Sequence, residues 1–474
     1  MREYYNAEQV RAAEAPLLAK LPEGILMRRA AYGLAGVVAA ELRSRTGSIA
    51  YRTVTVIVGS GDNGGDGLWA GAFLRRRGVE VRAVLVDSER AHTAGLAALT
   101  RAGGRIVTEV GEPDLVIDAV VGISGHGPLR PVAAALFDRV QAPIVSADLP
   151  SGVDPDTGSV DGPAVTAAVT VAFGALKPVH VLAPDRCGRV ELVDIGLTPV
   201  APQCTAFTDV EVGRLWPVPG PADDKYSQGV VGVVAGSGRY PGAGVLCTGA
   251  AVTATSGLVR YAGPGSAPVL ARYPEVVATA GVETAGRVQA WVVGPGMGTD
   301  ARAGRILASV LSSDVPVVVD ADGLTLLAKS PELVRGRTAP TLLTPHAGEF
   351  ARFAPLGVDR IASTRSLAAK LGVTVLLKGR STVIAGDGGR VMVNDARGSW
   401  ASTAGSGDVL SGTIGALLAG GVPTVDAAAA AARAHSMAAG IAAAGAPVGA
   451  SALLDHLRDA VRVLRQTGLQ ANPT

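Results

Sequence analysis

The sequence predicts an α/β fold built from two doubly wound domains in tandem. Two series of short β-branched runs alternate with helical segments, a proline-rich stretch parts the series, and glycine clusters follow several of the runs. Continuous apolar strands set between helices imply parallel sheets covered on both faces. At 474 residues the chain has room for two or three domains. Apolar residues make up 48%, and with aromatics at 4% the cores are left to Val, Leu and Ala.

The first series opens with helical periodicity over 6–20 and 25–46. Strands follow at 53–58, 79–86, 114–120, 143–148 and 168–173, with a polar glycine-rich turn (149–164) before the last. Pro-rich sequence from Pro199 to Pro221 then places a boundary near residue 208, giving domains 1–207 and 208–474. The second series has strands at 229–236, 289–294, 315–322, 341–345 and 373–379. A hairpin-like pair (STVIAG, RVMVND) and a long helix pair from Asp408 to Ala444 close it.

Charge excludes some partners. Lys plus Arg (43) nearly balances Asp plus Glu (41), and a net charge of +2 offers no broad footprint for nucleic acid or an acidic membrane. Cys187, Cys204 and Cys247 match no metal or disulfide spacing, so reduced thiols and a cytoplasmic location are expected. The polar start MREYYNAEQV has no apolar core of a secretory signal. The Ala-rich run 426–444 carries Asp426, Arg433 and His435 and reads as a buried helix, not a membrane span.

Strand 53–58 runs into GSGDNGGDG (59–67), and a helix is expected near Leu68. Gly59, Gly61 and Gly64 satisfy the dinucleotide fingerprint GxGxxG, and Asp87 ends the next strand. Taken alone the match is weak. The insert Asp62-Asn63-Gly64-Gly65-Asp66-Gly67 strengthens it, because two carboxylates and an amide at a helix start suit ribose hydroxyls, a polar ring or a cation. The plainer alternative is a strand-to-helix turn with Asp as N-cap. Asp118 and Asp148 end two further strands, and acids at adjacent strand termini converge on the crevice where open sheets bind ligands.

GxGxNGGDG, then DA-x-x-G-x-x-G, then D-L-P-S-G, in this order over residues 1–205, resemble the NAD(P)H-hydrate epimerase domain. The resemblance implies interconversion of the R and S epimers of hydrated NADH and NADPH at C6, and a bound potassium ion with Asn63, Asp118 and Ser151 as ligands. Oxygen donors suit such a hard cation. It also implies dinucleotide contacts from Asp62, Asn63, Gly64, Gly65 and Asp66, from Gly122, Ile123, Ser124, Gly125, His126, Gly127 and Pro128, and from Asp148. Asp148 is the candidate acid/base, since epimerisation moves protons on the ring. Lys177 either assists or pairs with a carboxylate. Asp62 stands where the family more often has Asn.

AGSGDVLSGTIGALLAG (404–420) is the most informative segment. Gly405 and Gly407 free backbone N–H groups at the start of a helix expected at or just after Asp408, where a phosphate meets unpaired amides and the positive helix end. An acid there makes sense if Asp408 takes the proton of an acceptor hydroxyl; an N-cap is the plain alternative. Strand ends at Asp320, Asp322 and Lys378 supply further charge, although Asp322 could cap its own helix. His346 and Glu349 sit beside another helix start.

GSGRYPGAG, GPGMG, DADGLTLL, LTPHAGEF, LKGRSTVIA and AGSGD occur over about 208–460 in an order that resembles the ribokinase-like superfamily, and within it the ADP-dependent NAD(P)H-hydrate dehydratases. The resemblance implies phosphorylation of the C6 hydroxyl of the S hydrate by ADP, with Asp408 as base, then elimination of phosphate. Lys378, Gly379, Arg380, Ser381, Thr382 and Gly407 would contact ADP. Ala243, Gly296, Gly298, His346 and Asp408 would contact the hydrated dinucleotide, and Mg2+ would neutralise the donor phosphates. AGSGD replaces the usual GGTGD, and TPHAGE replaces TPHPGE.

Together these strings predict a bifunctional repair enzyme acting on the small molecules NAD(P)HX and ADP, with K+ in its first half, and a homo-oligomer with no nucleic-acid or membrane partner. The alternatives are a ribokinase-type kinase with a nucleotide-binding N-terminal half, an NAD-dependent oxidoreductase, or a binding scaffold.

Overall fold

In the computed structural model, residues 1–255 and 257–470 are described. The chain divides into two compact units, Glu3–Cys204 and Thr205–Thr474, the second also including Met1 and Arg2.

The N-terminal unit is built on a seven-stranded parallel sheet in the order Arg105–Val107, Glu80–Leu85, Thr53–Val58, Leu115–Ala119, Ile144–Ala147, Val169–Phe173, Arg189–Val193. The apolar runs are two-sided, as burial on both faces requires. Val54, Val56, Val58 and Ile117 face one helical layer, and Ile57, Val84 and Val116 face the other. The strands after Thr53–Val58 first run to one side of it, and Leu115–Ala119 then lies on the other. The chain reverses there, so the loops after Val58 and Ala119 flank the crevice at the sheet's carboxyl edge.

The C-terminal unit repeats the principle with a larger sheet. From Cys204–Ala206 onward the order is Val391–Asp395, Ser381–Ala385, Thr374–Leu377, Thr341–Leu343, Val317–Val319, Ala290–Val293, Val230–Val234, Leu258–Tyr261, Val277–Ala278. The hairpin read from STVIAG and RVMVND is present, and its strands pair antiparallel in a sheet whose central strands are parallel. The reversal falls between Val230–Val234 and Ala290–Val293, which brings the loops 235–240 and 294–298 together. The Ala-rich run forms the helix Thr424–Ala443, with Ala427–Ala431, Ala434, Ala438 and Ala439 buried in the core. Among the described residues no helix is long and apolar enough to cross a membrane.

Two helix starts differ from expectation. The helix after Val58 begins at Asp62, not near Leu68, and the helix of AGSGD is Ser406–Ala419, so Asp408 lies in its first turn. Glycine-rich sequence has poor helix propensity, but tertiary contact overrides it here. A Cβ on Gly64 would stand 2.2 Å from the carbonyl oxygen of Gly59, and one on Gly67 would stand 2.4 Å from Cβ of Ala119. Glycine lets this helix lie directly on the sheet edge.

Candidate active sites

In the N-terminal unit a cleft of about 830 Å³ opens at the reversal point. Its walls include Gly59–Asn63, Asp66, the whole 122–128 loop, Asp148 and Lys177. Gly64 and Gly65 do not line it. They are packing positions, with Gly65 against Met27 and His92. Nor do Asp118 and Ser151, which sit behind the wall formed by Val120–Gly122.

Asp118 is fully buried. Its carboxylate accepts from Ser151 Oγ (2.6 Å), Ser151 N (2.9 Å), Ser146 Oγ (2.8 Å) and Val120 N (3.3 Å). Ser151 Oγ in turn accepts from Val121 N at 3.0 Å. Asn63 lies against Gly122, the next residue of that turn, and its buried Nδ2 has no hydrogen-bond partner among the described residues. The three sequence-predicted cation ligands are thus linked through one turn. Burial raises the Asp118 carboxyl above its ordinary value against the pull of its hydrogen bonds, and it has no cationic side-chain partner among the described residues. An uncompensated buried carboxylate beside a hydroxyl and an amide fits a monovalent hard cation.

Asp148 stands at the end of Ile144–Ala147 with φ of +68°. Its carboxylate pairs with Lys177 Nζ, itself 1% exposed, and accepts from Phe173 N at 3.2 Å. Of the two sequence readings of Lys177, pairing with a carboxylate is the one the geometry shows. Two cleft residues carry no sequence motif. Glu14 and Arg11 come from the helix Ala7–Lys20, and Arg11 donates to Ile123 O at 3.0 Å. Burial, then the charge of Asp148, raises the Glu14 carboxyl. Burial, then Asp148, Asp62 and Glu14, carries Asp66 well above the carboxylate range. The cleft therefore offers an ion-paired carboxylate next to a carboxyl held towards its neutral form.

In the C-terminal unit the helix Ser406–Ala419 starts from Gly405, whose φ is +87°; a Cβ there would lie 2.5 Å from Leu246 Cδ1. Asp408, in the first turn, has its carboxyl pushed up to about 7 by burial and then by Asp320, with Lys378 opposing. Lys378 Nζ bonds Asp320 Oδ1 at 2.8 Å and stands 3.7 Å from Glu349 Oε2. Burial alone would lower the Lys378 ammonium, but the carboxylates of Asp320, Glu349 and Asp408 carry it above its ordinary value. Ser411 Oγ donates to the other oxygen of Asp320 at 2.7 Å. A Cβ on Gly407 would lie 3.4 Å from Lys378 Nζ, so the glycine turn, the lysine and Asp408 face one point.

The other sequence-predicted residues fall into two groups. Gly296 packs against Ala243, Gly298 N donates to Asp322 Oδ2 at 2.9 Å, and both loops belong to the reversal point. Asp322 does not cap its own helix. The N-cap there is Ala321, and the Asp322 carboxylate instead fixes the 294–298 loop. His346 is the N-cap of Ala347–Phe350 in a reciprocal box with Glu349, its ring largely exposed. On the hairpin, Ser381 and Thr382 are buried in the strand, Gly379 lies against Arg360, and Arg380 turns to Asp395 at 3.4 Å. Among the described residues no group of three His, Cys, Asp or Glu side chains is arranged to hold a metal.

A cleft at a Rossmann-like switch point and a glycine turn before an acid-bearing helix define the class: a two-unit α/β nucleotide enzyme whose second unit is ribokinase-like. Two family models match the chain, YjeF-related protein N-terminus over residues 23–179 and NAD(P)H-hydrate dehydratase over residues 231–462. A solved ribokinase-like superfamily protein of Enterococcus faecalis V583 is 25% identical with a TM-score of 0.51, over 57% of this chain and 99% of that one. The ADP/ATP-dependent NAD(P)H-hydrate dehydratase of Bacillus subtilis, crystallised with ATP and Mg2+, is 24% identical with a TM-score of 0.50, over 55% and 99%, and shares the fold. The chain is also 61% identical over 435 residues to the bifunctional NAD(P)H-hydrate repair enzyme Nnr of Mycobacterium tuberculosis H37Rv, spanning 90% of this chain and 92% of that protein. It belongs to the family of bifunctional NAD(P)H-hydrate repair enzymes.

Proposed function

We propose that the chain returns hydrated NADH and NADPH to use in two steps, with residues 1–207 as the epimerase and residues 208–474 as the ADP-dependent dehydratase. The observation that carries the second step is Asp408. It stands beside a glycine turn, with a carboxyl near 7, so that an appreciable fraction is ionised at neutral pH and can still accept a proton. The Asp408 carboxylate takes the proton of the C6 hydroxyl as that oxygen bonds the β-phosphorus of ADP and AMP departs. Phosphate then leaves C6 and carries off a C5 proton, and the ring double bond is restored. The amides freed by Gly405 and Gly407 meet the transferring phosphoryl group, and Lys378, oriented by Asp320 and Glu349, adds charge at the same point. Gly379–Thr382 border the adenine nucleotide, and Ala243, Gly296, Gly298 and His346 the hydrated dinucleotide. Magnesium would neutralise the donor phosphates; among the described residues no cluster of side chains is arranged to hold it.

Epimerisation at C6 is redox-neutral: hydroxyl departs with a proton as water and water returns on the other face. Asp148 moves the proton, Lys177 holds its carboxylate, and Asp66 donates from its neutral form to the substrate. Asp62 and the 122–128 loop border the dinucleotide. Asn63, Asp118 and Ser151 would hold potassium, which would neutralise the buried carboxylate behind the loop. Incubating the S epimer with ADP tests the dehydratase: NADH, AMP and phosphate form in equal amounts. A stable phosphorylated product without NADH would instead mark a ribokinase-type kinase.

A further inference from the structure

Asp148 holds a conformation that L-residues avoid. With φ at +68°, and with Leu149 N donating to Ala147 O at 2.9 Å, it is the centre of a three-residue γ-type turn. The next strand ends in the same turn, with Ala175 N to Phe173 O at 2.7 Å, but its central residue is Gly174, also at +68°. Glycine adopts this geometry without penalty, whereas an aspartate must be held in it.

Three bonds hold it. Asp148 N donates to Val171 O at 2.8 Å, Phe173 N donates to Asp148 Oδ1 at 3.2 Å, and the Asp148 carbonyl accepts from His180 Nε2 at 2.9 Å. The same imidazole accepts, at Nδ1, the backbone N–H of Lys177 at 2.9 Å. These two bonds fix the tautomer, with the proton on Nε2. Lys177 Nζ reaches back to the Asp148 carboxylate and to Phe173 O at 3.1 Å. One buried ring, 6% exposed, therefore ties the main chain at both ends of a buried ion pair. Burial, then Lys177, lowers its value to about 4, so it stays neutral and keeps both roles at physiological pH.

We infer that His180 is a positioning residue of the epimerase site, clamping the strained turn of Asp148 and the backbone of Lys177 so that the pair faces the cleft in one geometry. The inference rests on the reading of Asp148 as the proton-transfer group. A side chain that only filled space would need neither nitrogen bonded.

The test uses the full chain and follows the two epimers of hydrated NADH by chromatography. His180→Leu removes both bonds and is expected to lower the epimerase kcat about 100-fold, the scale of a displacement of about 1 Å at a reacting group, with KM within about twofold. Dehydration of the S epimer by the same chain stays at the wild-type rate. His180→Gln, which returns a donor near Nε2, recovers most of the rate. His180→Asn, which keeps only an acceptor for Lys177, does not, and it decides the matter if the leucine variant fails to fold. In a double variant with Asp148→Asn, His180→Leu adds no further loss. Wild-type kcat in the Leu or Asn variant, a rise in KM alone, multiplicative losses in the double variant, or parallel loss of dehydration each overturn the inference. A wild-type chain that does not interconvert the epimers instead refutes the epimerase reading beneath it.

Discussion

Asp408→Asn is the perturbation that separates catalysis from folding most sharply. The Asp408 carboxyl moves from 3.8 to about 7 in the folded chain, with burial as the first cause and Asp320 the second. Because the folded value lies above the unfolded one, this group's stabilising contribution is complete below pH 3.8 and is lost as pH rises through about 7. Above that point the ionised, partly buried carboxylate costs the fold roughly 4 kcal/mol at most, a ceiling that solvent access reduces. The asparagine variant escapes this cost and should unfold at higher temperature than the wild type at pH 8, with little difference at pH 4. Its dehydration rate should fall about 10²- to 10⁴-fold, the range for loss of a positioned base, while ADP still binds. In the wild type, kcat/KM for dehydration should rise with pH to a plateau with a midpoint near 7. Absorbance of the NADH formed gives the rate, and thermal melts at the two pH values give the stability. A variant with near-wild-type turnover, or a wild-type profile flat from pH 5 to pH 9, would mean that Asp408 is not the base.

Three further outcomes follow from the same geometry. Asp320→Asn removes the charge that most raises Asp408 and releases Lys378 towards it, so the midpoint of the dehydration profile should move to lower pH; an upward move contradicts the arrangement. Ser151→Ala deletes a hydroxyl bonded to Asp118, and a potassium titration of epimerase activity should show half-activation at a concentration about tenfold higher, a change of about 1.4 kcal/mol; an unchanged titration rejects Ser151 as a ligand. Gly64→Ala sets a methyl 2.2 Å from Gly59 O, and overpacking of this kind costs about 1–3 kcal/mol, read as a lower melting transition with epimerisation lost and dehydration kept.

The central strands were legible because β-branched runs buried on both faces leave a continuous apolar signal. Arg105–Val107 and Arg189–Val193 went unread: each is short, opens on an arginine and lies at an edge of its sheet, where one side has no strand to pair. The two glycine-rich helix starts were placed late, since local propensity argues for a turn, and only contact with Gly59 or Leu246 shows why glycine is needed. In the sites, strand-end acids were visible because a parallel sheet puts its carboxyl edge at the crevice. Glu14 was not, because a glutamate in an amphipathic helix carries no positional signal until the helix is docked. Nor did the sequence show that Lys378 would be tied to Asp320, 58 residues away, rather than left free for a phosphate. His180 follows Lys177 by three residues in LKPVH, and that spacing was the one trace of their bond.

One chain joins two chemistries on one damaged dinucleotide. The most direct measurement gives the full chain the pure R epimer with ADP and potassium and follows NADH from the first seconds. NADH should form at a rate that Asp148→Asn cuts sharply from the R epimer and leaves unchanged from the S epimer. If NADH forms from neither epimer, or if Asp148→Asn slows both equally, the division of labour between the two units is wrong.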